Sequence, residues 1–205
     1  MSKKPIIAFE GIEASGKSHH ISVVSKILKK KKIPFILLRE PGGNKNSEKI
    51  RKLILKDDSN FDKITDLLLY LAARNENVNS IIKKYFKKKI ILIDRFVDST
   101  IAYQHYGMGI NINIIRYLNK FLLKNIKVDF TFLHLINKKN LQLRLKKRNK
   151  LNRYDKFDLN FYKKVQNGFI KISKVKKKSY LNIDSNLDIE INEKIIKKKI
   201  NQLIK

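Results

Sequence analysis

The sequence predicts an α/β fold: a three-layer α/β/α sandwich built on a five-stranded parallel sheet. Three observations carry that prediction. Five short, nearly unbroken apolar runs recur along the chain, as in strands buried on both faces. Longer segments with helical spacing of apolar residues separate them, which favours parallel strands joined by helical crossovers. Glycine, proline and polar clusters mark the boundaries.

The first strand is Pro5-Ile-Ile-Ala-Phe-Glu10. A glycine-bounded loop, Gly11 to Gly16, follows it. Lys17 to Lys32 reads as a helix, because Ile21, Val24, Ile27 and Leu28 share one face. Pro34 ends it, and Phe35 to Leu38 is the second strand. Glu40-Pro-Gly-Gly43 is a turn, and 47–56 and 62–86 carry helical patterns. Lys89-Ile-Ile-Leu-Ile-Asp94 is the third strand. A helix over 111–124, a strand from Phe130 to Ile136 and a basic helix over 138–148 come next. Polar residues Asn149 to Asp158 lead into a helix over 159–175, a fifth strand from Tyr180 to Asp184 and a last helix over 190–204. The expectation is one domain over 1–205, with 138–158 a candidate mobile lid.

The chain has 205 residues, no cysteine and a formal net charge of +29. The missing cysteines exclude a disulfide scaffold, cysteine zinc sites and thiol catalysis. No apolar run is long enough to span a membrane, and Met1 to Phe9 is too short for a signal peptide, so the expected location is the cytoplasm. The charge admits two readings. Clustered lysine neutralises phosphates, which suggests nucleic acid. Yet the lysines are spread through the chain beside 31 Ile and 20 Asn, two residue types with no electrostatic use. Solvated lysine from a general compositional bias is the better account, and a nucleic-acid partner is not expected.

Gly11-Ile12-Glu13-Ala14-Ser15-Gly16-Lys17-Ser18 fits G-x-x-x-x-G-K-[ST]. Its backbone N–H groups can wrap a phosphate, and the following helix adds its positive end. Lys17 reaches the β- and γ-phosphates and Ser18 can ligate Mg²⁺. Strand before and helix after are the context that makes the motif specific. A nucleoside triphosphate with Mg²⁺ is therefore expected. The loop leaves kinase, GTPase and ATPase open, but Asn137-Lys-Lys-Asn140 lacks the aspartate of a guanine-reading signal.

Arginine sharpens the choice. Against 39 Lys there are only 8 Arg, so arginine stands where a planar bidentate fork is required. Arg39 ends the second strand and Arg95 follows the third, at the sheet edge where ligands bind in open parallel sheets. Arg51, Arg74, Arg144, Arg148 and Arg153 also fall in candidate functional segments, and only Arg116 does not. Asp94 offers a carboxylate near the metal, and Glu13 sits inside the phosphate loop, where an anion needs a hydroxyl or a hydrated metal to face.

These segments together resemble the thymidylate kinase family of P-loop nucleoside monophosphate kinases. The resemblance rests on Phe9 to Ser18, Arg39-Glu-Pro-Gly-Gly43, Leu68-Leu-Tyr-Leu-Ala-Ala-Arg74, Asp94-Arg-Phe-Val-Asp-Ser-Thr-Ile-Ala-Tyr-Gln104 and Arg144 to Asp155, over nearly the whole chain. It implies a P-loop NTP hydrolase-like fold, a homodimer packed through helices, and transfer of the ATP γ-phosphate to dTMP in dTTP biosynthesis. It implies that Glu13 approaches the sugar 3′-hydroxyl and that Arg39 and Arg95 hold the acceptor phosphate, with Arg51 nearby. Leu69 and Tyr70 both fall where the family stacks an aromatic on thymine. Arg74 would bond a thymine carbonyl, Thr100 and Gln104 would read the base edge, and Tyr103 would crowd the 2′ position. With no arginine in the phosphate loop, the chain resembles the lid-arginine type. Arg144 and Arg148 would then serve the nucleotide, and Arg153 is the candidate for the transferring phosphoryl. Two departures stand out: Asn152 replaces a usual acidic residue, a part Asp155 can take, and His19 replaces a usual hydroxyl.

Overall fold

The computed structural model describes residues 4–149 and 152–204. Five strands form one sheet: β1 (Ile6–Gly11), β2 (Phe35–Arg39), β3 (Ile90–Asp94), β4 (Phe130–Leu135) and β5 (Tyr180–Asp184). Their order is β2-β3-β1-β4-β5 and every pairing is parallel. The predicted class and all five predicted strands are found.

The helices are α1 (Lys17–Lys30), α2 (Lys45–Leu55), α3 (Lys63–Asn77), α4 (Lys83–Tyr85), α5 (Val97–Thr100), α6 (Ile112–Leu123), α7 (Lys138–Lys146), α8 (Leu159–Val175) and α9 (Ile189–Leu203). On one sheet face Ile7, Phe9 and Phe132 pack under Val24 and Leu28 of α1 and Ile196 and Ile200 of α9. On the other, Ile6, Ile91 and Ile93 pack under Val78, Ile82 and Leu123. Burying each such side chain contributes about 1.5–3 kcal/mol. This explains why the central strands β1, β3 and β4 read as nearly continuous apolar runs, whereas the edge strands β2 and β5 meet water at Leu37 and Asn182.

Three segments differ from the sequence expectation. The helix expected over 62–86 is divided by a π-helical turn, Val78–Ile82. Residues 97–107, assigned no element from sequence, form α5 running into a second π-helical segment, Ile101–Gly107. The polar stretch 149–158 contains a 3-10 turn, Arg153–Lys156, closed by a capping box between Asn152 and Asp155. Of the expected lid 138–158, residues 150 and 151 lie outside the described residues.

The second π segment packs tightly on α8. A Cβ on Gly168 would sit 2.5 Å from the Tyr106 ring, so only glycine lets the two backbones approach.

β1 lies between β3 and β4 while the chain runs from β1 out to β2, so its carboxyl end is a topological switch point. Register brings Phe9 and Arg39 each beside Asp94, and Gly11 beside His134. The loops after β1, β2 and β3 therefore emerge together.

Candidate active site

The phosphate loop leaves β1 through Gly11 (φ 137°) and enters α1 through Gly16 (φ 89°). A Cβ on Gly11 would lie 2.4 Å from the His134 carbonyl oxygen, so the tight exit requires glycine. Ser15 Oγ donates to the Ile12 carbonyl at 2.8 Å, and Ser185 Oγ donates to the Ser15 carbonyl at 2.7 Å. Arg144 braces the loop from outside, donating to the carbonyls of Ala14 at 3.1 Å and Ser185 at 2.7 Å. Lys17 Nζ donates to the carbonyls of Gly11 and Ile12 at 3.1 and 2.8 Å. Burial, and then the charge of Arg95, push this ammonium down to about 8.

The loop floors a cleft of about 480 Å³, lined by Glu13 to His19, Pro41, Arg51, Tyr70, Asp94, Arg95, Arg144, Arg148 and Tyr154, among others. Glu13, Glu40, Tyr70, Arg95 and Tyr154 also line a smaller inner recess that continues to Arg74, Phe96, Ser99, Thr100, Tyr103 and Gln104. Most of the expected site residues thus share one concavity.

Arg95 stands at the junction. Its Nη1 donates to the Gly11 carbonyl at 2.7 Å, its Nη2 to Glu13 Oε1 at 2.9 Å, and its guanidinium lies 5.2 Å from the Tyr103 ring centre. Burial opposes the charge, but Tyr103, Glu13 and Asp94 outweigh it and hold the guanidinium pKa above its ordinary value. The backbone of Arg95 is left-handed (φ 63°), which turns the chain sharply out of β3 and aims the side chain back over the loop. Tyr103 donates its hydroxyl to Glu13 Oε2, and burial pushes its pKa well above the usual phenol range. Glu13 is thus gripped from two sides.

In the recess Arg74 is buried. Its Nε donates to Glu40 Oε2 at 2.7 Å, its Nη1 to Asn119 Oδ1 at 2.5 Å, and it stacks 5.0 Å over Phe96. Glu40 is pushed up by burial, partly offset by Arg74, and its Oε1 is buried without a hydrogen-bond partner among the described residues. Thr100 and Gln104 are buried beside it. Of the pair expected to stack on a base, Tyr70 lines both cavities and Leu69 packs instead into the core around Tyr154 and Phe169.

Two arginines stand elsewhere than expected. Arg39 turns away from the cleft to Glu48, with Nη2 donating to both carboxylate oxygens at 3.1 and 3.0 Å, and lines a separate groove behind Asp94. Strand register explains this: alternate side chains leave opposite faces, and Arg39 exits on the α1 side. Arg51 occupies the cleft instead, donating to the Pro41 carbonyl at 2.6 Å. Arg153 also stands off the cleft lining. It donates to Asp66 Oδ1 at 2.8 Å, while Arg148, paired with Asp155, does line the cleft.

Ser18 and Asp94 could hold a metal. Asp94 Oδ1 is buried with no hydrogen-bond partner among the described residues, and both residues line the cleft. Two hard oxygen donors beside a phosphate loop fit Mg²⁺, which takes one or two protein ligands with phosphate oxygens and water. No group of three or more His, Cys, Asp or Glu able to hold a metal occurs among the described residues. His19 instead meets Glu193 at 2.9 Å, and His20 meets His134 at 2.9 Å in a buried stacked pair. Burial pushes those two down to about 4 and about 3, so both are neutral at pH 7.

Sequence reasoning missed Glu10, Glu40, Asp66, Phe96, Asn119 and Tyr154 as site residues. Glu10 accepts from Phe96 N at 2.8 Å and Ser99 Oγ at 2.5 Å, fixing the turn from Arg95 into α5. Burial, and then Asp98, raise it to about 7. The native protein then keeps this proton longer than the unfolded chain, so its contribution lowers stability as pH rises from 4.5 to about 7. Glu10→Gln is expected to be relatively more stable at pH 8 than at pH 5, by about 2–3 kcal/mol against the parent. Denaturant titrations at both pH values measure this. The comparison with the parent removes the His20–His134 contribution, which runs the other way. A pH-independent difference would refute the assignment.

With this geometry in hand, the relatives are informative. The thymidylate kinase family model matches residues 9–196. The chain is 40% identical over 199 residues to the thymidylate kinase of a Sulfurihydrogenibium species, covering 96% of each chain. It is also 40% identical over 185 residues to the thymidylate kinase of Thermosipho africanus, covering 90% of this chain and 91% of that one. The crystal structure of thymidylate kinase from Ehrlichia chaffeensis superposes with a TM-score of 0.78 at 31% identity, covering 96% of this chain and 98% of that one. Phosphate loop, arginine-rich cleft and inner recess lie within the matched span, and the chain belongs to the thymidylate kinase family.

Proposed function

We propose that the chain transfers the γ-phosphoryl group of ATP to dTMP, giving ADP and dTDP. The observation that carries this reading is the continuity of the two cavities: the phosphate-loop cleft and the inner recess share Glu13, Tyr70, Arg95 and Tyr154 as walls. A donor phosphate on the loop and a base in the recess then bring the acceptor phosphate to Arg95 and Arg51.

The recess suits thymine. Arg74, locked by Glu40 and Asn119, offers a cation to a base carbonyl, and Thr100 and Gln104 supply the polar edge. Tyr70 offers a stacking face. Tyr103 fills the space beside the sugar and holds Glu13 toward its 3′-hydroxyl. Arg51 and Arg95 neutralise the acceptor phosphate, and Lys17 the donor. An acceptor oxygen attacks the γ-phosphorus in line, the bond to the β–γ bridging oxygen breaks, and ADP leaves. Ser18 and Asp94 would hold Mg²⁺, which would supply charge neutralisation for the nucleotide phosphates. Arg148, on the cleft wall, takes the role at the transferring phosphoryl expected of Arg153. The segment 138–158 acts as the lid that excludes water.

Ile64 and Leu68 of α3 and Ile114, Tyr117 and Phe121 of α6 are exposed apolar residues on two helices that pack together. This face supports a homodimer. No helix among the described residues is long and apolar enough to cross a membrane. Membership of the family supports a cytoplasmic reaction.

The test is ADP release with ATP·Mg²⁺ and a panel of dTMP, dUMP, dCMP, dGMP and thymidine. The highest kcat/KM is expected for dTMP. Failure with every monophosphate, or steeply salt-dependent DNA binding without turnover, would sink the assignment.

A further inference from the structure

Asp66 is fully buried in α3, far in sequence from everything it holds. Its Oδ1 accepts from Arg153 at 2.8 Å, and its Oδ2 accepts from the Tyr154 hydroxyl and lies 3.5 Å from Gln104 Nε2. Two of these donors come from the 3-10 turn of the expected lid, and the third from the π segment that walls the recess. The turn does not need Asp66 in order to form. Asn152 and Asp155 close it with a capping box, and Arg148 pairs with Asp155. What Asp66 adds is attachment of that turn to α3.

Chemistry fixes the direction of the third contact. An ionised carboxylate only accepts, so the amide of Gln104 must turn its NH₂ end toward Asp66. That leaves the amide oxygen and the second N–H of Gln104 for a base, in one orientation. A base with a ring N–H beside a carbonyl matches it; a base with an unprotonated ring nitrogen beside an amino group does not. The Tyr154 ring, held by the same carboxylate, lines both cavities and stands edge-on to Tyr70 and Tyr103, 5.8 Å from each.

We propose that Asp66 is a positioning residue that couples the acceptor recess to the lid, orienting the Gln104 amide toward the base and latching the Arg153–Lys156 turn to α3. The proposal rests on the kinase reading above. It makes lid attachment a property of the acceptor side: the side-chain hydrogen bonds of Asp66 among the described residues go to Gln104, Arg153 and Tyr154, none of them in the phosphate loop.

The test compares the parent with Asp66→Asn, which keeps size and removes charge. An Asn that accepts from Arg153 presents its own NH₂ to Gln104 and forces that amide to turn over. KM for dTMP is expected to rise about tenfold or more while KM for ATP stays within about twofold, and preference for dTMP over dCMP is expected to narrow about tenfold. Amide hydrogen exchange supplies a readout besides activity. In the parent, dTMP is expected to slow exchange at 152–157, and in Asp66→Asn that protection is lost while ATP still protects residues 11–18. Equal rises in both KM values with unchanged dTMP:dCMP preference would reduce Asp66 to a structural role and overturn the proposal. If Asp66→Asn does not fold, Arg153→Met and Tyr154→Phe report on the latch from its other side. Each is expected to weaken dTMP protection at 152–157 and to leave ATP protection unchanged, and normal dTMP protection in both overturns the proposal. A parent that turns over no monophosphate would refute the kinase reading instead, a result distinct from either.

Discussion

Replacing Arg95 by alanine is expected to lower kcat/KM for dTMP by about 10³-fold, as loss of a phosphoryl-clamping arginine does elsewhere. Two effects add. On the proposed reading the acceptor phosphate loses a cation, and Glu13 loses the partner at 2.9 Å that holds it. Glu13 is left largely buried and held by Tyr103 alone. Single-turnover kinetics with saturating ATP, together with a dTMP titration, measure the loss. A variant within tenfold of the parent would remove Arg95 from the transfer step. Arg95→Gly supplies a control. It deletes the same charge but suits the left-handed backbone, so it is expected to be more stable than Arg95→Ala by about 1 kcal/mol in denaturant unfolding.

The second large effect is expected at Arg148. Arg148→Ala should lower kcat by about 10²–10³-fold, because its guanidinium lines the cleft over the phosphate loop. Asp155 keeps its bonds to Asn152, so the turn it caps survives the change. dTMP affinity, measured by calorimetry without ATP, should change by less than about threefold. Arg153→Ala, in contrast, should cost kcat only about tenfold and act through dTMP, since its charge is spent on Asp66. If Arg153→Ala lowers kcat more than Arg148→Ala, the two roles must be exchanged.

The arginines illustrate what was legible in the sequence and what was not. The central strands were legible because a parallel strand buried on both faces is apolar at nearly every position, as in Ile90 to Ile93. The phosphate loop was legible because glycine and lysine at fixed offsets have one physical use. The segment 97–107 was not legible: Asp98, Ser99, Thr100 and Gln104 are polar yet buried, so no apolar stripe betrays a helix. Composition singled out the arginines, but not the face each one would take. Arg39 and Arg51 differ only in the element that carries them, and the pleat of β2 sends the first away. Asp66 and Glu40 gave no signal, because a lone carboxylate in a helix or turn reads as solvated until its partners, 87 and 34 residues away, are in place.

The π-helical segment Ile101–Gly107 has a consequence for how such a site could change over evolution. A helix advances its side chains by about 100° per residue, and a π turn is held open by surplus chain. Deleting one residue just after Thr100 would let the segment relax toward an α-helix and swing Tyr103 and Gln104 around the axis together. The base-facing wall could thereby be redealt by one codon, with every arginine of the phosphoryl-transfer cleft left where it stands.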